Sequence, residues 1–332
     1  MNPAHRGRKQ QGYVLVMVLA ALVLIALVAG RFAARNDALR ATTASFQDYA
    51  QGQIAAHSAL QVGLYWLSTH ANGPGGYGGY PRPQVFADGR PYDMFGQAEL
   101  QVQDWRGTVS LNTAQRPLLG QLLKGLGTPP ERIDAMLDTL LDYQDTDHLK
   151  RLNGAEAADY AALGMPPPRD DWLLAISELS RIPLWRDQPE LIAKLQNLAT
   201  VRRESILNPN TMPIALIAAL MPHVNPEQLA HLETLRRTQP FDSAAAMLAA
   251  TGVDLRGDDF LFYVGDRLRL TVWAPGLPQA YQYNLTLVPG GETSPWNIGD
   301  VQLVPRDNNA QNAPSARATP FPLTLAGTAG NP

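Results

Sequence analysis

The stretch Tyr13-Val-Leu-Val-Met-Val-Leu-Ala-Ala-Leu-Val-Leu-Ile-Ala-Leu-Val-Ala-Gly30 contains no charged residue. As an α-helix these 18 residues extend about 27 Å at 1.5 Å per residue, close to the thickness of the hydrocarbon core of a bilayer. The preceding segment carries Arg6, Arg8 and Lys9 and no acid, and such basic flanks stay in the cytoplasm. The sequence therefore predicts one membrane-spanning helix, with a cytoplasmic N-terminus and an exported remainder.

The junction before this helix bears on the kind of signal. The apolar run is long for the core of a cleaved secretory signal, and no Ala-x-Ala site closes it. An ordinary signal anchor is the simplest interpretation. However, this segment resembles a type IV prepilin signal: a basic leader is followed by Gly12, and an aromatic residue then opens a long apolar helix. That resemblance implies cleavage after Gly12 by a prepilin peptidase and N-methylation of Tyr13. Most members of that family carry Glu at the fifth mature position, where this chain has Met17.

Composition narrows the functional classes. The chain has 332 residues and a formal net charge of −3, and such a balance argues against a general nucleic-acid binder, which needs surplus positive charge. Hydrophobic residues make up 45%, enough for a substantial core. Cys is absent, which excludes disulfides, thiol catalysis and cysteine-bound metals. The length fits two domains, or one domain with a large insertion.

Helical periodicity continues beyond the membrane. Leu60, Leu64 and Leu67 fall at i, i+4 and i+7, so we expect one long helix over 13–70. Gly30 and Gly52 leave open a membrane helix followed by a separate amphipathic helix. A Gly- and Pro-rich loop then begins at residue 73.

Strand-like alternation frames a helical block. Alternating stretches that predict strands occur at 98–105, 108–111, 260–264, 267–273, 281–288 and 301–304. We therefore expect an α+β fold, with an antiparallel sheet domain (71–111 and 255–305) into which an all-α domain (112–254) is inserted. The Pro/Ala/Asn/Thr-rich tail over 306–332 is expected to be mobile.

The helical block contains a duplicated module. Three pairs of short motifs recur at offsets of 98, 96 and 95 residues: Ser110-Leu-Asn-Thr-Ala114 with Ile206-Leu-Asn-Pro-Asn-Thr-Met212, Pro130-Glu-Arg-Ile133 with Pro226-Glu-Gln-Leu229, and Leu137-Asp-Thr-Leu140 with Leu232-Glu-Thr-Leu235. Each copy predicts a helical hairpin. In each copy the Asn-Thr pair is expected to cap the following helix.

The common catalytic and nucleotide-binding motifs are absent from the sequence. There is no His-Glu-x-x-His, Gly-x-Ser-x-Gly, Walker A or Gly-x-Gly-x-x-Gly pattern, so we expect no enzyme. Gly125-Leu-Gly127 between two helices resembles a helix-hairpin-helix DNA motif. The alternative function is therefore an exported DNA-binding or uptake protein, although the acidic helix that follows would repel DNA.

The sharpest chemical signal is a concentration of acids. The segment 131–147 contains six acidic residues and a single basic residue, Arg132. Asp134, Asp138 and Asp142 share one helical face and are interpreted as solvated. Asp145 and Asp147 fall at the expected end of the helix, with His148 interpreted as a surface residue. Calcium prefers such oxygen-rich loops, but the spacing does not match an EF-hand, so spacing alone leaves a calcium site and a solvated loop both open.

Several motifs together resemble one family, the minor pseudopilin K of bacterial type II secretion systems, over nearly the whole chain. They are Gly12-Tyr13 with Met17, Leu111-Asn-Thr-Ala114, Leu141-Asp-Tyr-Gln-Asp-Thr-Asp147, Gly154-Ala-Glu156, Ile176-Ser-Glu-Leu179 and Leu207-Asn-Pro-Asn-Thr211. The departures are Tyr143 where Trp is usual, and Asp170-Asp171 where the family often has Asn.

The resemblance carries further expectations. It implies a pilin-like sheet domain with a large helical insertion, and a non-enzymatic subunit at the tip of a periplasmic pseudopilus in a Gram-negative cell envelope. It implies two other minor pseudopilins as partners, a single pass through the inner membrane, and contact of the helical domain with secreted substrates. The missing Glu fits a tip subunit, because no subunit lies ahead of it. It also implies bound calcium, whose candidate ligands by position are Asp142, Asp145, Asp147, Glu156 and Asp159.

Overall fold

The computed structural model describes residues 11–79, 82–255, 260–305 and 318–323. Most of the predicted leader therefore lies outside the described residues. The first element, α1 (Gln11–Thr69), is one uninterrupted helix of 59 residues, so the alternative of two separate helices is wrong. A helical glycine costs only about 1 kcal/mol, which is too little to break a continuous ladder of hydrogen bonds. The N-terminal part of α1 is long and apolar enough to span a membrane, and none of that apolar window is buried by protein.

Gly52 is required where α1 meets the sheet. A Cβ at this position would clash with the carbonyl oxygen of Pro275 and press on the side chain of Leu277. From the other side, Gly276 adopts a φ of +86° and lies against the backbone of Asp48. Two glycines thus let the helix and a turn of the sheet approach at backbone distance.

The main sheet has six strands in the described part of the chain. Their order is β10–β3–β4–β7–β8–β9, from β3 (Asp88–Met94), β4 (Ala98–Asp104), β7 (Arg267–Trp273), β8 (Gln279–Leu287), β9 (Trp296–Pro305) and β10 (Thr319–Pro320). Neighbouring strands are antiparallel, except that β10 runs parallel to β3. Two minor pairs complete the strands, β1 (Gly76–Tyr77) with β2 (Val85–Phe86), and β5 (Val109–Ser110) with β6 (Ala199–Thr200).

The helical insertion lies between the two groups of main strands. It contains α2 (Arg116–Gly125), α3 (Pro130–Gln144), α4 (Ala157–Ala162), α5 (Pro189–Leu198), α6 (Ile214–Leu220), α7 (Pro226–Arg236) and α8 (Ala244–Thr251). One apolar core fills this insertion, and a second lies between α1 and the sheet. The predicted α+β class, with a long N-terminal helix and an antiparallel sheet, is confirmed.

The expected helix caps are wrong. The helices α2 and α6 begin after Gln115 and Pro213, which lie two residues beyond the threonine of each Asn-Thr pair. Asn112 donates instead to the carbonyls of Leu173 and Val201. Sequence distance alone does not reveal such partners, because they reach the asparagine only after the chain has folded.

Two further expectations need correction. Residues 260–264 do not form a strand; Phe260 makes a single bridge with Leu207 and the chain otherwise bends. The prediction of a mobile tail is wrong at Thr319–Pro320, because β10 pairs with β3. The reason is apolar anchoring: the ring of Phe321 is buried and meets Trp66 and Tyr92 edge-on at centroid distances of 5.7 and 5.9 Å. Apart from 318–323, the tail beyond residue 305 lies outside the described residues.

Candidate metal centre at the end of α3

The acids gather where α3 ends and the chain turns back. Asp145 is the residue that caps α3, and Glu156 precedes α4. The loop between them folds over Asp142, whose side chain is fully buried. Asp170 joins from farther along the chain, because its backbone N–H donates to the carbonyl of Tyr143 at 3.1 Å.

Gly154 is required by the buried carboxylate. A Cβ at this position would overlap the Oδ2 atom of Asp142. The glycine of the Gly-Ala-Glu motif therefore makes room for the acid that the loop encloses.

Arg151 neutralises one side of the cluster. Its guanidinium forms ion pairs with both Asp142 and Asp145, and its backbone N–H donates to Asp142 at 3.2 Å. Since a buried carboxylate without a partner costs several kcal/mol, this arginine compensates for the burial of Asp142.

The other side of the cluster is uncompensated. Glu156 is 9% exposed, and neither of its carboxylate oxygens has a hydrogen-bond partner within the described residues. Asp145 Oδ1, Asp170 Oδ1 and the hydroxyl of Tyr160 are likewise buried and, in the same part of the chain, without a partner. Burial, followed by the charges of Asp142, Asp145 and Asp170, raises the pKa of Glu156.

His148, Glu156 and Asp170 converge. One ligand atom from each lies within 4.8 Å of the others. Together with Asp142 and Asp145, the site has four carboxylates against the single guanidinium of Arg151. Buried oxygens that lack a donor and face one another are what a divalent cation would neutralise, so the residues fit a bound metal ion.

The predicted ligands divide into two groups. Asp142, Asp145 and Glu156 come together, as their motifs indicated. Asp147 accepts a bond from the backbone N–H of Leu149 at 2.8 Å. Asp159 accepts from Lys150 at 2.7 Å and from the backbone N–H of Glu156 at 2.9 Å.

Three residues of the cluster were not among the predicted ligands. Asp170 was noted only as a departure from the family pattern, and no sequence spacing links it to α3. His148 is exposed as predicted, yet a ring nitrogen reaches the cluster. Tyr160 follows Asp159 in α4, and nothing in the sequence marked it as a ligand.

The acids on α3 are less solvated than their spacing suggested. Asp138 is 6% exposed and accepts bonds from Arg116 at 2.6 Å and from the backbone N–H of Asn153 at 3.1 Å. Burial alone would raise the pKa of Asp138, but the bonds from Arg116 and Asn153 outweigh it and lower that pKa. The interpretation of Asp138 and Asp142 as solvated is therefore wrong, because the 145–156 loop covers them.

The first glycine of the pair that resembles a DNA motif has a packing role. A Cβ at Gly125 would overlap the backbone of Ala219 in α6. The two copies of the duplicated module thus meet at this glycine, where α2 packs on α6. This contact accounts for Gly125 without a phosphate ligand.

Comparisons with known proteins show which family part of the chain is similar to. Residues 99–204, about a third of the chain, match the family model described as type II secretion system (T2SS), protein K. This range includes β4 except its first residue, the helices α2 to α5 and the whole acidic cluster. A search of curated protein sequences gives no match.

A solved structure has a similar fold. It is a chain of the crystal structure of the GspK–GspI–GspJ complex from the enterotoxigenic Escherichia coli type 2 secretion system. The TM-score is 0.53 at 17% identity, over 81% of this chain and 99% of that one. The family match over residues 99–204 and the similar fold both agree with the resemblance to the K-type minor pseudopilins of type II secretion systems that the sequence indicated.

Proposed function

We propose that this protein is the tip or initiation subunit of a periplasmic pseudopilus that promotes the export of folded proteins. Its role is structural rather than catalytic. The apolar part of α1 holds it in the inner membrane of a Gram-negative cell by a single pass, with the N-terminus in the cytoplasm and the sheet and helical insertion in the periplasm. Two other minor pseudopilins are its partners, as the similar chain comes from a GspK–GspI–GspJ complex.

One observation carries this proposal: the helical insertion is tied to the end of α1 that lies farther from the membrane. The segment that follows α1 is held by the insertion, since Asn208 and Asn210 both donate to the carbonyl of Pro74. Gly75 lies against the ring of Pro240. In a fibre of parallel helices the insertion would occupy the space of the next subunit, which favours a position at the end of the fibre.

The test is genetic and biochemical. A strain without the protein is expected to lose pseudopili and secretion, and the full-length chain is expected to restore both. Co-expression with the two other minor pseudopilins should yield a complex that purifies through a tag on this chain. Normal pseudopili and normal secretion in the deletion strain would contradict the proposal.

We also propose that the cluster at the end of α3 binds calcium as a structural ion. The support is the group of buried, unpartnered oxygens on Glu156, Asp145 and Asp170, since oxygen ligands are those that calcium prefers. These three residues would hold the ion, while Arg151 already compensates Asp142. Bound calcium would supply the positive charge that the loop lacks and would rigidify it.

Titration of the metal-free, full-length protein in detergent tests the calcium proposal. Calcium is expected to bind and to raise the melting temperature, and Glu156→Gln and Asp170→Asn should each weaken binding at least tenfold. Asp187→Asn, at an exposed acid, is the matched control. Tighter binding of zinc than of calcium, lost in His148→Ala, would overturn calcium as the ion, because imidazole nitrogen suits zinc.

A further inference from the structure

The apolar face of the main sheet continues past the area that α1 covers. Across the strands, Leu270 pairs with Tyr283, which pairs with Val301. In the next row, Val272 pairs with Tyr281, which pairs with Leu303. Directly paired residues present their side chains on the same face, so both rows belong to the face that packs on α1.

Exposure rises along each row. Leu270 and Val272 on β7 are 0% exposed, whereas Val301 and Leu303 on β9 are 51% and 56% exposed. The tyrosines of β8 are half-buried between them. The reason is that α1 packs on β4 and β7, and β8 separates these strands from the edge strand β9.

The flank of α1 forms a wall beside this open face. Gln53 donates to the hydroxyl of Tyr281 and to that of Tyr49, both at 2.7 Å, which places this side of the helix next to β8. Phe46 and Tyr49 precede Gln53 at helical spacing and are 70% and 43% exposed. We call this surface the β8–β9 groove: its floor is Tyr281, Tyr283, Val301 and Leu303, and its wall is Phe46 and Tyr49.

The other face of β9 is already engaged. Asp300 accepts a bond from Asn284 at 2.8 Å and forms an ion pair with Arg202 of the helical insertion. Contacts on the face opposite to α1 therefore hold this edge strand in place, while the side chains of Val301 and Leu303 on the other face are exposed. Exposed apolar residues on an edge strand invite association, so the groove has the character of an interface.

The spacing of the groove fits a second helix. Strands are about 4.8 Å apart, so the line between β8 and β9 lies two spacings, about 9.6 Å, from the line between β4 and β7. Packed helices have axes about 8–10 Å apart. A helix seated over β8 and β9 would therefore lie in side-by-side contact with α1.

The direction of α1 limits what that helix is. The groove runs beside α1, and α1 continues from it into the membrane as a single helix. A helix in the groove that stays in contact with α1 must also pass towards the bilayer. We propose that the β8–β9 groove receives the N-terminal helix of a second membrane-anchored subunit, running parallel to α1. This inference rests on the proposed function, in which the partners are other minor pseudopilins.

The absence of cysteine in the sequence allows a clean crosslinking test. Val301→Cys carries a benzophenone maleimide in the full-length chain, co-expressed in membranes with the two other minor pseudopilins. Irradiation is expected to join the probe to the N-terminal helix of one of them, identified by mass spectrometry. The same probe on Leu152→Cys, at a side chain 93% exposed in the helical insertion, should give no such product. Crosslinks from position 301 only to lipid, to a second copy of this chain, or to a partner's sheet would overturn the proposal.

Charge in the groove gives an independent measurement. Val301→Asp and Leu303→Asp should each reduce co-purification of the partners at least tenfold, whereas Leu152→Asp should leave it unchanged. The melting temperatures should stay near that of the unaltered protein, since both sites are exposed. If the unaltered protein assembles with its partners and both variants assemble equally well, the proposal that the groove binds a partner's helix is wrong and the proposed function stands. If the unaltered protein binds neither partner, the proposed function fails as well.

Discussion

Asn210 of the helical insertion donates a hydrogen bond to the carbonyl of Pro74, which follows the end of α1, at 3.1 Å. The same amide group donates to the carbonyl of Phe241 at 2.8 Å and accepts from the N–H of that residue at 2.9 Å. Asn210 is 3% exposed. One buried side chain thus joins the insertion to the segment that follows α1.

Asn210→Ala should be strongly destabilising. Removing the amide leaves the buried N–H and C=O groups of Phe241 without this partner, each at about 1–3 kcal/mol, while the Pro74 carbonyl keeps its bond from Asn208. We expect a loss of about 2–4 kcal/mol in the free energy of unfolding, measured by chemical denaturation in detergent. Thr234→Ala, at an exposed helix position, is the control and should change stability by less than about 0.5 kcal/mol. Equal effects of the two substitutions would show that the insertion does not depend on this link.

Gly154→Ala should disrupt the acidic loop. The added Cβ meets the Asp142 carboxylate, so the loop must move and cation binding should weaken at least tenfold in calorimetry. Gly120→Ala is the matched control, because nothing lies closer than 3.7 Å to its Cβ position. Gly120 is inside α2, where alanine should stabilise the helix by up to about 1 kcal/mol. Unchanged cation affinity in Gly154→Ala would separate this glycine from the metal centre.

Asp104 should make stability depend on pH. Its side chain is fully buried, and burial raises the pKa of Asp104 to about 7, against bonds from Arg106, Gly265 and Thr211 that lower it. Because the folded pKa exceeds the unfolded value of about 3.9, the contribution of Asp104 to stability is highest at low pH. It falls as pH rises from about 4 to about 7, by at most about 4 kcal/mol at 1.36 kcal/mol per unit.

Asp104→Asn should remove this component of the pH dependence. The measurement compares the unfolding free energies of Asp104→Asn and of the unaltered protein between pH 4 and pH 8. The variant is expected to gain stability relative to the unaltered protein as pH rises. Asp187→Asn at an exposed acid should leave the pH profile unchanged. A difference between Asp104→Asn and the unaltered protein that is constant with pH would contradict the expectation.

The N-terminus should be processed after Gly12. Intact mass and peptide sequencing are expected to show loss of residues 1–12 in cells that contain the prepilin peptidase, together with a methyl group on Tyr13. In cells without the peptidase, Met1 should remain. Cleavage near Ala29 in either strain would indicate an ordinary secretory signal instead.

The membrane helix and the helical hairpins were predictable because their signals are local. Eighteen uncharged residues behind a basic leader predict a helix long and apolar enough to span a membrane, without reference to any other segment. Similarly, α2 and α3 are predicted closely by two apolar stripes at helical spacing on either side of the break before Pro130, namely Leu118, Leu119, Leu122, Leu123 and Leu126, and Ile133, Met136, Leu137, Leu140 and Leu141. Strands β4 and β7 to β9 were also indicated by alternation, although β9 proved longer than predicted.

The strand β3 was missed because its sequence, Asp88 to Met94, contains a glycine, a proline and three charged residues. Such a segment has little intrinsic strand preference. It becomes a strand because β4 on one side and β10 on the other supply its hydrogen-bond partners. Its assignment therefore depends on contacts that are distant in sequence.

By itself, the sequence determined the features that neighbouring residues create: the membrane anchor, the amphipathic helices, the order of helix and strand, and the motifs of the family. Only the tertiary structure decided which polar groups lie together. A backbone bond to Tyr143 brings Asp170 close to Glu156, and Asn210 bonds to Pro74 across 136 residues. Val301 is exposed because the single helix α1 packs on β4 and β7. The physical reason is that hydropathy and capping act over a few residues, whereas burial and charge compensation depend on which segments the fold brings into contact.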